Sequence, residues 1–289
     1  MTSLDSVSIL LLSFNGRHHL EHCLPALEAQ EEAGVEVEIL VLDNGSSDDT
    51  SRWVREHHPR VRLVRSEANL GFCGGNNLLA EGAQGDALIL LNDDTRPEPS
   101  WLRELVAALR GAADDVAAVS GLLVDWQGER LDFGRGVLTF DGHAFQKGYL
   151  KPLDRARAEG CVPVDGEELL FACGGNMAIR RPVFERLGGL DETFFAYLED
   201  VDLGWRLWAA GYRVLAAPRA VARHRSMATS QQLGNANRGF LFERNAFVNA
   251  AKNLDDRERT LLMPAIWMTL VHRTQTLMVQ NNPGGEQLT

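Results

Sequence analysis

Short apolar runs recur along the first 120 positions, at residues 7–13, 37–42, 61–64, 87–91 and 116–120. Runs of this length bounded by turn residues predict buried strands. Between them, residues 20–29, 49–56, 76–81 and 99–109 bring apolar side chains back every three or four positions, which predicts amphipathic helices. The second of these opens on Ser46-Ser47-Asp48-Asp49, an N-cap-like start. Strands alternating with helices predict βαβ units and a single, mostly parallel Rossmann-like sheet flanked by helices, with ligand sites at the carboxyl ends of the strands.

From residue 122 to 167 the periodicity weakens, predicting hairpins and loops inserted beside the sheet. A second block follows. Residues 169–180 read as a strand around a Gly-Gly turn, 182–187 as a short helix with Pro182 in its first turn, and 199–210 as a helix stopped by Gly211. Two short extended pieces, 213–217 and 220–222, precede a helical region over 239–280. Cys73-Gly74-Gly75-Asn76 recurs as Cys173-Gly174-Gly175-Asn176. Four residues do not establish a duplication; both read as turns where backbone approaches a ligand or another strand.

Composition removes several classes. With 289 residues, 45% hydrophobic and 24% charged, the chain can bury a large core and is neither disordered nor fibrous. A net charge of −11 argues against nucleic-acid binding through phosphate neutralisation, so any bound phosphate needs local help. Four cysteines without a C-x-x-C pair predict a reduced, cytoplasmic setting. The first residues lack the basic region of a signal peptide, and no apolar segment reaches the roughly 18 to 20 residues of a membrane span.

Three acidic clusters carry candidate chemistry. Asp43-Asn44-Gly45-Ser46-Ser47-Asp48 follows the second strand and suits a base or ribose; Asn92-Asp93-Asp94 follows the fourth and offers oxygen ligands for Mg²⁺ or Mn²⁺. Each also reads as a solvated turn or cap, but two such clusters on one sheet favour a site. The third, Glu199-Asp200-Val201-Asp202, opens a helix. Helical spacing places Glu199, Asp202 and Arg206 on one face, with Asp202 and Arg206 paired, and leaves Asp200 apart. A carboxylate between acidic neighbours has a raised pKa and suits a general base; the alternative is a helix-dipole cap. His224, between two arginines, reads by itself as structural. His18 and His22 read as a solvated helix face, lacking the glutamate of H-E-x-x-H.

The order of these motifs resembles an inverting family-two glycosyltransferase of the GT-A fold, closest to bacterial rhamnosyltransferase-type members. Ser13-Phe14-Asn15, Asp43-Asn44-Gly45-Ser46, and Asn69-Leu70-Gly71-Phe72 followed by Gly75-Asn76 resemble its nucleotide-binding half. Asn92-Asp93-Asp94 resembles its D-x-D element, with Asn in the first position. Gly174-Gly175-Asn176 resembles its donor-sugar turn, and Gly189-Leu190-Asp191-Glu192 leading to Glu199-Asp200 its E-D motif.

The resemblance spans residues 7–225 and implies a catalytic domain over 1–225, divided into a nucleotide-binding half (7–120) and a donor-sugar and acceptor half (121–225), with a helical region over 226–289. It further implies inversion at the anomeric carbon of a dTDP- or UDP-sugar, with Asp200 as base beside Glu199. A divalent cation, Mn²⁺ or Mg²⁺, would sit on Asp94 and His224. Ser13, Asn15, Asp43, Asn69, Gly71, Asn76, Asn92 and Asp93 would bind the nucleotide, and Gly174, Gly175 and Asn176 the sugar. Trp205 and Trp208 are expected near a glycan or polyprenyl-diphosphate-linked acceptor.

Other classes fit less well. A sugar-nucleotide pyrophosphorylase or Rossmann dehydrogenase needs a Gly-rich loop after the first strand, where only Gly16 occurs. A silent sugar-nucleotide binder would not need Glu199-Asp200. Finally, Met263, Ile266, Trp267, Leu270, Val271, Thr274, Leu277 and Met278 form an apolar helical stripe, and Arg219, Arg223, Arg225, Arg238 and Arg244 a basic stretch. The stripe packs on the catalytic domain, on a second subunit, or with the arginines at the inner face of the plasma membrane.

Overall fold

The computed structural model describes residues 4–225 and 235–280. Strand β1 (Ser6–Ser13) is buried from Val7 to Leu11, and β4 (Ala87–Asn92) from Ala87 to Leu91. Both are near-continuously apolar because helices cover both faces of the sheet at this point. Around them the alternation runs through α1 (Arg17–Glu28), β2 (Glu36–Asn44), α2 (Thr50–His57), β3 (Arg62–Ser66) and α3 (Gly71–Gly82). Then come β5 (Thr95–Pro97), α4 (Trp101–Arg110) and β6 (Val116–Asp125). The insert holds β7 (Leu131–Phe133), β8 (Gly136–Leu138), β9 (Ala144–Gln146), α5 (Leu153–Ala158) and β10 (Glu168–Leu169). The chain continues through β11 (Asn176–Arg180), α6 (Arg181–Arg186), a 3-10 turn (Glu192–Phe194), α7 (Glu199–Ala209), β12 (Arg213–His224), α8 (Asn235–Asn253) and α9 (Asp256–Gln280).

The main sheet runs β10-β12-β6-β11-β4-β1-β2-β3. Neighbours along this order are parallel in the majority, as expected, with antiparallel members among them. Strands β1 to β4 pair in parallel as expected, but β11 is antiparallel to both β4 and β6. The physical reason lies in the insert, which returns the chain at the end where β6 finishes, without the helical crossover a parallel neighbour requires. This brings the start of β11 against the end of β4: Asn176 pairs with Leu91, and Asn92 N–H donates to Gly175 O at 3.2 Å. The Gly-Gly turn and the Asn92-Asp93-Asp94 cluster therefore meet.

The two extended pieces expected before residue 223 are one strand, β12, broken in register between Ala217 and Val221. Pro218, which has no N–H to give, lies in the break.

Helix α8 is not an appendage, because Ala246 is buried in the main core. A smaller cluster of Ala250, Leu254 and Ile266 joins α8 to α9 and packs on Trp205. The predicted α9 stripe is split accordingly: Ile266 is buried and Met263 packs beside it, while Trp267 and Val271 are exposed. Leu277 and Met278 lie outside the residues whose side chains are described. Among the described residues no helix is long and apolar enough to cross a membrane.

Candidate active site

A cavity of about 370 Å³ opens at the carboxyl ends of β1, β2 and β4. Three regions wall it: the Asn69–Phe72 start of α3, the Asn92–Asp94 cluster facing Gly174-Gly175, and the segment from Phe195 to Asp200. It is large enough for a small-molecule ligand.

At the α3 end, Asn44 and Asn69 form a linked pair. Asn44 Nδ2 donates to Asn69 Oδ1 at 2.9 Å, and Gly71 N–H donates to the same oxygen at 2.9 Å. Gly71 has φ +71°, and a Cβ there would lie 2.5 Å from the Phe195 ring, so this turn needs glycine. Asn69 and Gly71 line the cavity, as does Asn44, which stands in the Asp43–Ser46 string but is given no role of its own by the sequence reading.

Four expected nucleotide residues lie elsewhere. Asp43 is wholly buried beneath the loop, paired to Arg65 at 2.5 Å and bonded to Ser51 and to Ser46 N–H. Burial works to raise its pKa, but the Ser51 and Ser46 hydrogen bonds and Arg65 outweigh it and hold the carboxyl below its usual range. Asn15 Oδ1 accepts from Ser47 N–H and Asp48 N–H, locking the β2–α2 loop. Asn76 is buried and bonded back to Phe72 O at 2.9 Å. Ser13 is buried under Gly16.

The Asn92-Asp93-Asp94 cluster is brought to His224 by the β5–β12 pairing, in which Thr95 opposes His224. His224 Nε2 lies 3.1 Å from Asp94 Oδ1, and Nδ1 lies 2.6 Å from Asp132 Oδ2. Burial works to lower the imidazole pKa, but the two carboxylates push it up to about 10. Burial likewise opposes Asp94, whose carboxyl His224 nonetheless holds below its ordinary value. Asp93 goes the other way: burial and the neighbouring Asp94 charge push it up to about 8. Its Oδ2 has no hydrogen-bond partner among the described residues. Asp132 was missed in the sequence, where it is one acid in an irregular insert.

Among the described residues no three His, Cys, Asp or Glu side chains gather as a metal site. One carboxylate and one imidazole, with phosphate oxygens from a ligand, still suit Mg²⁺ or Mn²⁺. An imidazole so placed keeps its proton unless a cation takes that proton's place.

On the opposite wall, Asp200 is half-buried and accepts hydrogen bonds from Gly174 N–H at 3.1 Å and Val201 N–H at 2.9 Å. Burial raises its pKa against these two bonds. Glu199 also faces the cavity, contrary to the expected face with Asp202 and Arg206. Asp202 is wholly buried on the other side, held by Arg206, Lys252 and Asn253. Glu199 stands at the first position of α7, directly after Leu198 with φ +64°.

Glu199 has a buried Oε2 without a hydrogen-bond partner among the described residues. Burial and the Asp200 charge push its pKa from 4.5 up to about 8. The folded state thus binds this proton more tightly than the unfolded chain. Its stabilising contribution is complete below pH 4.5 and is lost as pH rises towards 8. Glu199→Gln, neutral throughout, is expected to gain at least about 1 kcal/mol over the wild type between pH 5 and pH 8.5. Chemical denaturation at the two pH values measures this; parallel pH dependences would contradict it.

Three further expectations are corrected. Asn176 is buried away from the cavity; its Oδ1 accepts from Trp101 Nε1 at 2.8 Å, and its Nδ2 donates to Leu122 O and Ala220 O beside the β12 break. Trp205 packs under α8 and α9, and Trp208 Nε1 donates to Leu169 O at 3.0 Å, so neither reaches the cavity. Trp208→Phe should cost about 1 kcal/mol of stability and leave the acceptor KM unchanged, as melting and kinetics would show. The basic stretch is also largely consumed. Arg219 pairs with Glu104 and Asp165, Arg223 with Glu98, and Arg244 bonds backbone carbonyls, while Arg238 lines the cavity. Arg225 stacks on Trp126.

Residues 8–188 match glycosyl transferase family 2. The chain belongs to this family. Residues 169–230 of this family 2 glycosyltransferase also match the N-terminal domain of galactosyltransferase. An N-acetylglucosaminyl-diphospho-decaprenol L-rhamnosyltransferase of Mycobacterium tuberculosis is 29% identical over 243 residues, 78% of this chain and 78% of its own. A low-salt glycan biosynthesis hexosyltransferase of Haloferax volcanii is 24% identical over 279 residues, 93% of this chain and 85% of its own.

Among solved structures, the Pyrobaculum calidifontis mannosyltransferase in complex with GDP-Man and Mn²⁺ superposes with a TM-score of 0.59 at 18% identity, covering 98% of this chain and 77% of that one. GalNAc-T7 with UDP, GalNAc and Mn²⁺ gives 0.60 at 19% identity, covering 78% of this chain and 44% of that one. These likenesses bear out the expected GT-A fold.

Proposed function

We propose that this glycosyltransferase moves a sugar, rhamnose by its likeness to the mycobacterial enzyme, from a dTDP- or UDP-linked donor to a hydroxyl of a polyprenyl-diphosphate-linked glycan, with inversion. The observation that carries the reading is the opposition of two groups across one cavity: Asp200, seated on the Gly174 and Val201 amides, and the Asp94–His224 pair.

Asn69 and Gly71 receive the nucleotide, and Asn92 and Asp93 line the path to its phosphates. Gly174-Gly175, lacking side chains, lets the sugar lie against backbone beside Asp200. The acceptor oxygen attacks the anomeric carbon as Asp200 takes its proton, and the bond to the diphosphate oxygen breaks on the far side. One displacement, with attack on the face opposite the leaving group, gives inversion. Asp94 and His224 would hold a divalent cation, whose positive charge offsets that of the departing diphosphate. This answers how a protein of net charge −11 handles an anionic donor. Glu199, kept neutral by burial, adds no second negative charge beside the base.

The exposed Leu261, Trp267, Met268 and Val271 of α9 support a peripheral membrane contact near such an acceptor. The deciding experiment incubates the enzyme with Mn²⁺, dTDP-rhamnose and an N-acetylglucosaminyl-diphospho-polyprenol. A rhamnosylated lipid whose new linkage is inverted relative to the donor is expected. Retained configuration would refute the single displacement, and transfer only of another sugar would refute rhamnose.

A further inference from the structure

The segment that delivers Glu199-Asp200 is unusual backbone. Phe195, Tyr197 and Leu198 have φ of 64°, 72° and 64°, the left-handed region that non-glycine residues avoid. Such a path turns carbonyls away from helix or sheet partners, and buried carbonyls require donors from elsewhere. Here α8 supplies them. Asn245, wholly buried, has two amide N–H groups to donate and three carbonyls in reach: Ala196 O at 2.8 Å and Tyr197 O at 2.7 Å, with Phe194 O, which also accepts Ala196 N–H, at 3.0 Å. Asn249, one turn later on the same helix face, donates to Leu198 O at 3.2 Å. Arg244 donates to Thr193 O and Phe194 O at 2.8 Å each. The remaining carbonyl, Phe195 O, accepts from Cys73 N–H at 3.1 Å. Every carbonyl from Thr193 to Leu198 therefore has a donor, and all but Phe195 O receive a side-chain donor from α8.

We propose that Asn245, supported by Asn249, is a positioning residue for the reaction: its amide holds the left-handed loop that aims Asp200 into the cavity. The inference rests on the reading of Asp200 as general base. Without the amide, the loop is free to relax to ordinary φ values, and α7 begins from a displaced Leu198. The nucleotide end of the cavity meets this loop at Phe195, but the bonds that build it, from Asn44 and from Gly71 N–H to Asn69, do not involve Asn245 or Asn249, and it should be spared.

The test is a double-mutant cycle on the full chain using Asn245→Ala, Asp200→Asn and the combination, each confirmed folded by circular dichroism. Asn245→Ala is expected to lower kcat by about 10²-fold, the usual cost of a reacting group displaced by about 1 Å. Binding of the nucleoside diphosphate with Mn²⁺ should change by less than about threefold, well under the tenfold that about 1.4 kcal/mol represents. In the Asp200→Asn background, Asn245→Ala should cost little more, because the group it positions is already gone. Losses that multiply across the cycle, or a wild-type kcat in folded Asn245→Ala, overturn the proposal. Near-normal turnover by Asp200→Asn would instead overturn the base assignment, which keeps the two failures apart. Should Asn245→Ala not fold, Asn249→Ala enters the same cycle; it removes only the Leu198 contact, where Asp202 N–H also donates. A smaller, equally non-additive loss supports the proposal and an additive one refutes it.

Discussion

Asp200→Asn is expected to bind the nucleoside diphosphate normally and to transfer sugar about 10³-fold more slowly, within the 10²–10⁴ that a positioned base supplies. The amide preserves the size of the side chain, so the cavity wall stays in place, and only the capacity to take a proton is lost. Burial holds the Asp200 pKa above its ordinary value. The free enzyme should accordingly show an acid limb in kcat/KM displaced above the usual carboxylate range, with activity rising as the proton leaves. In Asp200→Asn this limb should vanish from the residual rate. Stopped assays across pH, paired with calorimetry for nucleotide binding, measure both effects. Transfer at wild-type rates with an unchanged limb would remove Asp200 from the mechanism.

The second large effect is expected at Asp94. Asp94→Ala deletes, among the described residues, the only carboxylate paired with His224 Nε2. Donor affinity in Mn²⁺ should fall by about 10²-fold, comparable to losing one electrostatic partner of a charged group. It should then equal the wild type in EDTA. His18→Ala, on the exposed face of α1, is the control and should change nothing. If EDTA leaves both binding and transfer of the wild type untouched, the cation assignment falls.

The elements legible in the sequence are those whose pattern is set locally. Strands β1 and β4 and helix α4 announce themselves because burial on both faces or on one stripe leaves a direct mark on residue type. Antiparallel β11 was not legible, since its five residues pattern alike in either direction and only the course of the preceding insert decides. Site residues followed the same division. Asp94, His224, Asp200, Asn69 and Gly174-Gly175 stand in recognisable strings and do reach one cavity. Asp43, Asn76 and Asn176 stand in equally recognisable strings but spend their hydrogen bonds inside the protein, on Arg65 and Ser51, on Phe72, and on Trp101 with two strand carbonyls. A polar residue beside a ligand and one stitching the loop beneath it look alike until the partners are seen. Asp132 and Asn245 carry no string at all. Their importance comes from contacts with His224, 92 residues away, and with backbone up to 51 residues away.

The separation between α8 and the loop it holds also orders events during synthesis. Asn245 follows Tyr197 by 48 residues, so at roughly 5–20 residues per second it leaves the ribosome about 2–10 s later. By the end of that interval β12, the last strand among the described residues, has been made, and the nucleotide end of the cavity can form. The left-handed turn before Asp200 still lacks its donors. A nascent chain would thus gain the ability to hold a sugar donor before the ability to spend it, with the last long helices acting as the step that arms the enzyme.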